Sequence, residues 1–308
     1  MITYSIGLKN KFRGITVREG MLFEGPAGWA EWSPFLDYDD ATCVSWLRAA
    51  REAAEVGWPA PVRDLVPVNC TVPAVGPEKA AEIVRASGCS TAKVKVAEPG
   101  QTLADDLARV EAVRDAIGAG RVRIDANGAW SVDEAVRSLK QLQRFDLEYV
   151  EQPTATVQEL AEVRRRTDVP VAADESIRRA EDPLLVKKLD AADIAVLKVQ
   201  PIGGVRACLG IAEQIGLPVV VSSALETSVG IAAGVALAAA LPDLPYACGL
   251  ATVSMFTSEV VAEPLVAVDG FLPVKRVVPA PELLEAARAD AERTKVWEER
   301  LSRVRSAG

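Results

Sequence analysis

From about Val66 onward the apolar and polar positions settle into a rhythm. Short β-rich apolar runs recur at roughly 25-residue intervals, with helically spaced segments between them. The strand candidates are Val66–Cys70, Ala92–Val96, Val122–Asp125, Leu147–Glu151, Val169–Ala173, Ile194–Val199, Pro218–Ser222 and Tyr246–Gly249. The intervening pattern predicts helices over Pro77–Ala86, Thr102–Ile117, Val132–Arg144, Thr156–Arg166, Pro183–Leu189, Val205–Ile215 and Ser228–Leu241. Eight strands and seven helices in alternation point to an α/β fold with a closed parallel barrel. A doubly wound open sheet is the alternative. It would normally carry a Gly-rich phosphate loop after its first strand, and VNCTVPAVG is not GxGxxG.

The flanks follow another pattern. Residues 1–65 read as a small α+β module: short strands at Ile2–Ser5, Ile15–Glu19 and Met21–Glu24, a Gly/Trp-rich turn region GPAGWAEWSPF, then a helix over Asp40–Ala54 capped by Asp40 or Thr42. The barrel is assigned to 66–250. Residues 251–308, with β-like pieces in SEVVAEPLVAV and a charged helix Pro281–Arg305, are expected to fold back on the first module.

Composition narrows the chemistry. Hydrophobic residues make 49% of the 308-residue chain and charged residues 25%, as in soluble globular proteins. Against 43 Asp and Glu stand 35 Lys and Arg, so no dense basic patch is available for nucleic acid. Histidine is absent, which removes Ser-His-Asp and Cys-His sites, His-ligated zinc and imidazole acid/base catalysis. Cysteines 43, 70, 89, 208 and 248 are odd in number and form no CxxC, which predicts free thiols in a reducing cytosol. The N-terminus has no signal-peptide pattern, and the Ala-rich run Val229–Leu241 is too short for a bilayer, which takes about 20 residues. A cytoplasmic protein with no membrane partner is expected.

In a barrel, active sites lie at the C-terminal strand ends. Three successive strands end there in a carboxylate, Asp125, Glu151 and Asp174, separated by 26 and 23 residues, one βα unit each. Neighbouring strands lie about 4.8 Å apart, so three such oxygens can converge on one point. They would repel without a cation, and hard oxygen donors favour Mg²⁺, with Mn²⁺ as substitute. Lys93 and Lys95 share one face of the second strand, and Lys198 ends the sixth, across the barrel from Lys95. A central divalent ion with an ammonium on either side suits removal of a proton α to a carboxylate, as enolase-type sites do. Ile202-Gly203-Gly204 opens a helix whose free N–H groups could bind an anion, and Ser222, Ser223, Thr227 and Ser228 offer hydroxyls near the next helix start. Plain helix capping is the competing role for both.

The ordered set KVK (93–95), DAN (125–127), EQP (151–153), DES (174–176) and LKVQPIGG (197–204) resembles the enolase superfamily, within it the muconate-lactonizing-enzyme-like group. The resemblance covers nearly the whole chain. It implies a modified (β/α)7β TIM barrel with an α+β capping domain formed by the N-terminal segment and the C-terminal tail. It implies Lys95 as the acid/base, Lys198 as the opposing lysine, Asp125, Glu151 and Asp174 as ligands of Mg²⁺, and Lys93, Arg123, Asn127 and Glu175 as supporting polar groups. Arg13 would belong to a capping loop over the site, with Gly203, Gly204, Ser222 and Ser223 holding the second carboxylate of a small dicarboxylic substrate. The implied activity is that of a hydro-lyase, a syn dehydration of a succinylated hydroxycyclohexadiene carboxylate. N-succinylamino acid racemisation, another racemase or cycloisomerase reaction, a Schiff-base lyase and a catalytically silent binding barrel are the alternatives. GLATVSMFTS near the eighth strand lacks the Asp-x-Asp of dipeptide epimerases. The oligomeric state is open, a monomer being compatible.

Overall fold

In the computed structural model, which describes residues 1–178 and 182–308, the barrel begins at β5 (Cys70–Val72). It continues through β6 (Thr91–Lys95), β7 (Arg121–Asp125), β8 (Leu147–Glu151), β9 (Val171–Ala173), β10 (Ile194–Leu197) and β11 (Val219–Val221). These seven strands pair in parallel in chain order. The expected eighth strand is not continuous. Residues 246–249 contribute the bridges Ser222↔Gly249 and Val68↔Cys248, with Gly249 N donating to Val221 O (2.8 Å) and Cys248 N to Pro67 O (2.7 Å). That short segment closes the ring. The expected first strand, Val66–Cys70, is divided: Leu65–Pro67 (β4) instead pairs antiparallel with Phe271–Pro273 (β12), and the barrel strand starts at Cys70.

The helices that cover the barrel start where short polar residues satisfy their free N–H groups. Thr102, Ser131 and Thr156 each accept from the backbone three residues on, and Asp105, Glu134 and Glu159 reach back to the cap N–H. These boxes begin α3 (Leu103–Ile117), α4 (Val132–Leu142) and α5 (Val157–Arg164). Shorter pieces follow: Glu175–Arg178 (α6), Leu185–Lys188 (α7) and Val199–Ile202 (α8), then Val205–Ile215 (α9). The Ala-rich Ser228–Ala240 (α10) is buried on almost every side, because the barrel and the N-terminal module both pack on it.

That module is a three-stranded antiparallel sheet of β1 (Ile2–Phe12), β2 (Ile15–Gly25) and β3 (Gly28–Trp32), followed by α1 (Asp40–Arg51). The strands are longer than the sequence pattern predicts, and β3 runs through the region read as a turn. Asp39, not Asp40 or Thr42, caps α1. The tail carries no strand in SEVVAEPLVAV, and its charged helix is broken into α11 (Pro281–Ala286) and α12 (Ala291–Ala307). The tail does return to the module: Ser5 N donates to Ala287 O and Ala289 N to Thr3 O (both 2.9 Å), and Trp297 packs edge-on to Trp32. The two regions keep separate apolar cores, one between barrel strands and helices, one under the capping sheet. All five cysteines are buried and unpaired with one another.

Candidate active site

Strand alternation puts Lys93 and Lys95, Arg123 and Asp125, and Tyr149 and Glu151 inside the barrel, and the register stacks them in levels. Lys93, Arg123 and Tyr149 are lateral partners at one level; Lys95, Asp125 and Glu151 share the next, nearer the C-terminal mouth. Below the mouth the interior is filled by Tyr149, Ala172, Ile194, Val196 and Val220. Arg123 belongs to this lower layer. It stacks on Tyr149 (4.7 Å) and bonds Glu148, Asn69 and the Ala247 carbonyl, with no hydrogen bond to the upper carboxylates. Arg123, expected among the supporting polar groups, thus lies one level below the reacting groups and plugs the barrel beneath them.

At the mouth the carboxylates are each drawn to a cation. Lys93 Nζ lies 3.1 Å from Asp125 Oδ2 and 2.9 Å from Glu151 Oε1. Lys95 Nζ lies 2.6 Å from Asp125 Oδ2 and 2.5 Å from Asn127 Oδ1. Across the mouth, Lys198 Nζ meets Asp174 Oδ2 at 2.5 Å, and Arg178 Nε meets the other Asp174 oxygen at 2.9 Å. Glu175 accepts from Asn127 and Arg178. Gln152, fully buried, accepts from Asp174 N and Ser176 N and so fixes the DES turn at the end of β9. Arg178 was not anticipated; its only sequence signal is the i,i+4 spacing from Asp174.

Burial opposes charge on all three carboxylates, yet the neighbours decide the result. Lys95 and Lys93 hold Asp125 far below the usual range, and Arg178 and Lys198 hold Asp174 at about 2. For Glu151 burial wins, aided by the Asp125 charge, and its carboxyl is pushed up to about 7. Burial would lower Lys93, but Glu151 and Asp125 outweigh it and keep that ammonium well above the lysine norm. Among the described residues no three carboxylate or cysteine side chains stand in a metal-holding cluster. The physical reason is visible: the lysines separate Asp125, Glu151 and Asp174 by pairing with them. The donor set itself, buried carboxylates without nitrogen or sulfur, fits a hard divalent cation.

Above these groups lies a cavity of about 170 Å³. Barrel residues Lys93, Lys95, Asp125, Asn127, Arg178, Lys198, Ser222 and Ser223 line it on one side; Lys11, Phe12, Arg13, Phe35, Tyr38 and Trp46 of the capping module line the other. Arg13 stacks on Phe35 (3.9 Å) and pairs with Asp37. Ser223 and Thr252 share a hydroxyl hydrogen bond of 2.8 Å. Gly203 and Gly204 are not at the cavity, and the free helix N-terminus expected there is not free. Glu52, just past α1, accepts from Val205 N (2.6 Å) and Arg206 N (3.2 Å). Arg48 takes the Gly203 carbonyl at 3.2 Å. A Cβ on Gly204 would fall 2.1 Å from the Glu52 carboxylate, so the paired glycines serve the packing of α1 on the barrel, not anion binding.

Family models match at both ends of this architecture: an enolase N-terminal domain-like model over residues 3–54 and an enolase C-terminal domain-like model over 77–279. The chain belongs to the enolase superfamily. Curated relatives extend the match along nearly the whole chain. It is 65% identical over 305 residues to o-succinylbenzoate synthase of Thermobifida fusca (strain YX), covering 99% of this chain and 95% of that one. It is 55% identical to o-succinylbenzoate synthase of Mycolicibacterium smegmatis, covering 96% and 92%. Among solved superfamily structures, the muconate lactonizing enzyme from Pseudomonas fluorescens superposes with a TM-score of 0.80 at 22% identity, covering 94% and 97%. The N-succinyl Arg/Lys racemase from Bacillus cereus gives 0.78 at 20%, covering 94% and 97%. Identities this low establish the shared enolase fold: a (β/α)7β barrel with a capping domain. No helix among the described residues is long and apolar enough to cross a membrane.

Proposed function

We propose that the chain catalyses syn dehydration of 2-succinyl-6-hydroxy-2,4-cyclohexadiene-1-carboxylate to o-succinylbenzoate, a hydro-lyase step of menaquinone biosynthesis. The observation that carries this is the 65% identity, over almost the full length of both chains, to a relative named for that product. The cavity chemistry supports it: cationic side chains on both sides suit a dicarboxylate, and aromatic rings of the capping module suit a six-membered carbocycle.

In this reading Asp125, Glu151 and Asp174 hold Mg²⁺, with Mn²⁺ as substitute. Bound there, the ion supplies positive charge to the substrate carboxylate, so the proton on the adjacent carbon becomes more acidic. Lys95, as the neutral amine, takes that proton. The electron pair left behind forms the new ring double bond as the C–O bond to the hydroxyl breaks. The Lys95 ammonium then gives the same proton to the departing hydroxide, and one water leaves. One group serving both transfers requires proton and hydroxyl on one face, hence syn elimination. Lys198 faces the ring from the other side as a cation. Asn127, bonded to Lys95 Nζ, orients the amine. Arg13, Ser222 and Ser223 border the space left for the succinyl arm.

The paired lysines on opposite sides also support a second activity, racemisation of N-succinyl amino acids, which needs a base on each face. One set of variants tests both. Lys95→Ala should lower dehydration, followed in the ultraviolet with Mg²⁺ saturating, by about 10³-fold or more, since both proton transfers are lost. Lys198→Arg should keep more dehydratase activity than Lys95→Arg, whereas either substitution should remove racemisation. Greater dehydratase activity in Lys95→Arg would exchange the two roles.

A further inference from the structure

Outside the cavity, in the helix layer behind β6, a guanidinium group is buried without lining the cavity. Arg109 on α3 is 1% exposed. Such burial is costly unless every donor is used. Here Nε donates to the Val75 carbonyl (2.7 Å), and Nη1 donates to the Lys95 carbonyl (2.8 Å) and to Asp106 Oδ1 (2.9 Å). Nη2 donates to Gln101 Oε1. The partners extend the grip. Asp106 Oδ2 accepts from Ala97 N at 2.9 Å, and Gln101 Nε2 donates to the Ala74 carbonyl at 3.1 Å.

Two features give this cluster a purpose beyond packing. The β5–β6 ladder stops at Val72↔Val94, so the Lys95 main chain lies beyond the last rung on that side, where Arg109 takes over. Two residues further, Ala97 has φ +59°, a left-handed conformation that an alanine adopts only under constraint. The Asp106 bond to its N–H provides the constraint. The Arg109–Asp106–Gln101 cluster thus ties the turns after β5 and β6 together at the residue whose side chain reaches into the mouth.

We propose that Arg109 is a positioning residue for the dehydration: by gripping the Lys95 carbonyl from outside the barrel, it sets where the Lys95 amine stands relative to the substrate. This rests on the assignment of Lys95 as the base. A misplacement of about 1 Å at a reacting group costs on the order of 10²-fold in rate. Loss of the grip should therefore appear in kcat and leave substrate binding nearly intact.

The test uses the full chain with Mg²⁺. Arg109→Met should lower kcat about 10- to 100-fold while KM and the Kd for o-succinylbenzoate stay within about threefold. Arg109→Lys, which can reach one carbonyl but not four partners, should recover part of the loss, as should added guanidinium ion. A folded Arg109→Met with unchanged kcat, or with kcat falling only as its folded fraction falls, overturns the proposal. Amide exchange at Ala97 reads the grip without reference to the base: it should speed up about tenfold or more in Arg109→Met, and unchanged exchange refutes the grip even if Lys95→Ala shows that another group is the base. Should Arg109→Met fail to fold, Gln101→Leu removes one guanidinium partner from a half-buried loop. It should lower kcat about threefold or more at constant KM, and an unchanged kcat there overturns the proposal equally.

Discussion

Replacing Glu226 by Gln should change how stability depends on pH in a direction the structure fixes. Glu226 is buried where the capping module meets the start of α10. Its Oε2 accepts from Ala224 N at 2.7 Å, and Gln200 Nε2 approaches its Oε1 at 3.4 Å. Burial pushes its carboxyl up to about 7 from an ordinary 4.5; the Glu31 charge adds to the rise, and Arg18 opposes it. A folded-state value above the unfolded one means that the folded chain binds the extra proton. The stabilisation is complete below about pH 4.5 and is lost as pH rises through about 7. A rise of this size is worth about 3 kcal/mol in all, of which about 2 kcal/mol disappears between about pH 5.5 and 8.5. The absence of histidine makes the measurement clean, because no ordinary imidazole titrates in that window. Urea unfolding followed by tryptophan fluorescence, at several pH values for both proteins, gives the difference directly. The stability of the wild type minus that of Glu226→Gln should fall by about 2 kcal/mol across the window. Glu151 also titrates high, but it is present in both proteins and cancels. A difference that is flat or rises with pH would show that Glu226 is ionised in the folded state and that the burial argument fails.

The structure sets three further outcomes. Glu52→Ala strips the N-terminus of α9 of its carboxylate cap and should cost about 1–2 kcal/mol in urea unfolding, with KM little changed because the cavity does not include it. Removing divalent ions with EDTA should abolish dehydration and added Mg²⁺ restore it; Mg²⁺ should raise the melting temperature of the wild type but not of Asp125→Asn, since binding to the folded state alone stabilises it. Gly234→Ala would place a methyl 2.6 Å from Leu250 Cδ2 inside the packed face of α10 and should destabilise by about 1–3 kcal/mol, read as a lower urea midpoint.

The parallel strands and the polar residues at their ends were legible because both are local. A period-2 run bounded by turn residues marks β6 or β8 wherever it lies, and Lys95, Asp125, Glu151, Asp174 and Lys198 sit at the ends of such runs. The last barrel strand was overread because Tyr246–Gly249 is held by two bridges and not by a ladder. GWAEW looked like a turn because its glycine and tryptophans mask a strand that pairs with β2 alone. The anion site at Gly203–Gly204 was misread for a different reason. What fills that helix terminus is Glu52, some 150 residues earlier, and spacing carries no trace of such a contact. Arg109 carries no such local signal, and Gln152, although part of the EQP motif, has a role that spacing does not show: their hydrogen bonds join separate segments and exist only once the barrel is wound.

Helix α12 has a consequence for how the protein comes to life on the ribosome. Arg300 is buried and donates to the carbonyls of Pro34, Phe35 and Tyr38, the segment whose rings roof the cavity. The first 54 residues therefore emerge long before the helix that anchors their aromatic segment, with the entire barrel translated in between. Domains generally begin to fold as they emerge, so the barrel can form while its cover is still waiting. A chain halted between Lys198 and Ala291 would carry all three lysines and all three carboxylates yet lack the anchor of its roof. Competence of the site thus waits for α12, and a nonsense mutation between the codons for Lys198 and Ala291 should be as silencing as the loss of Lys95.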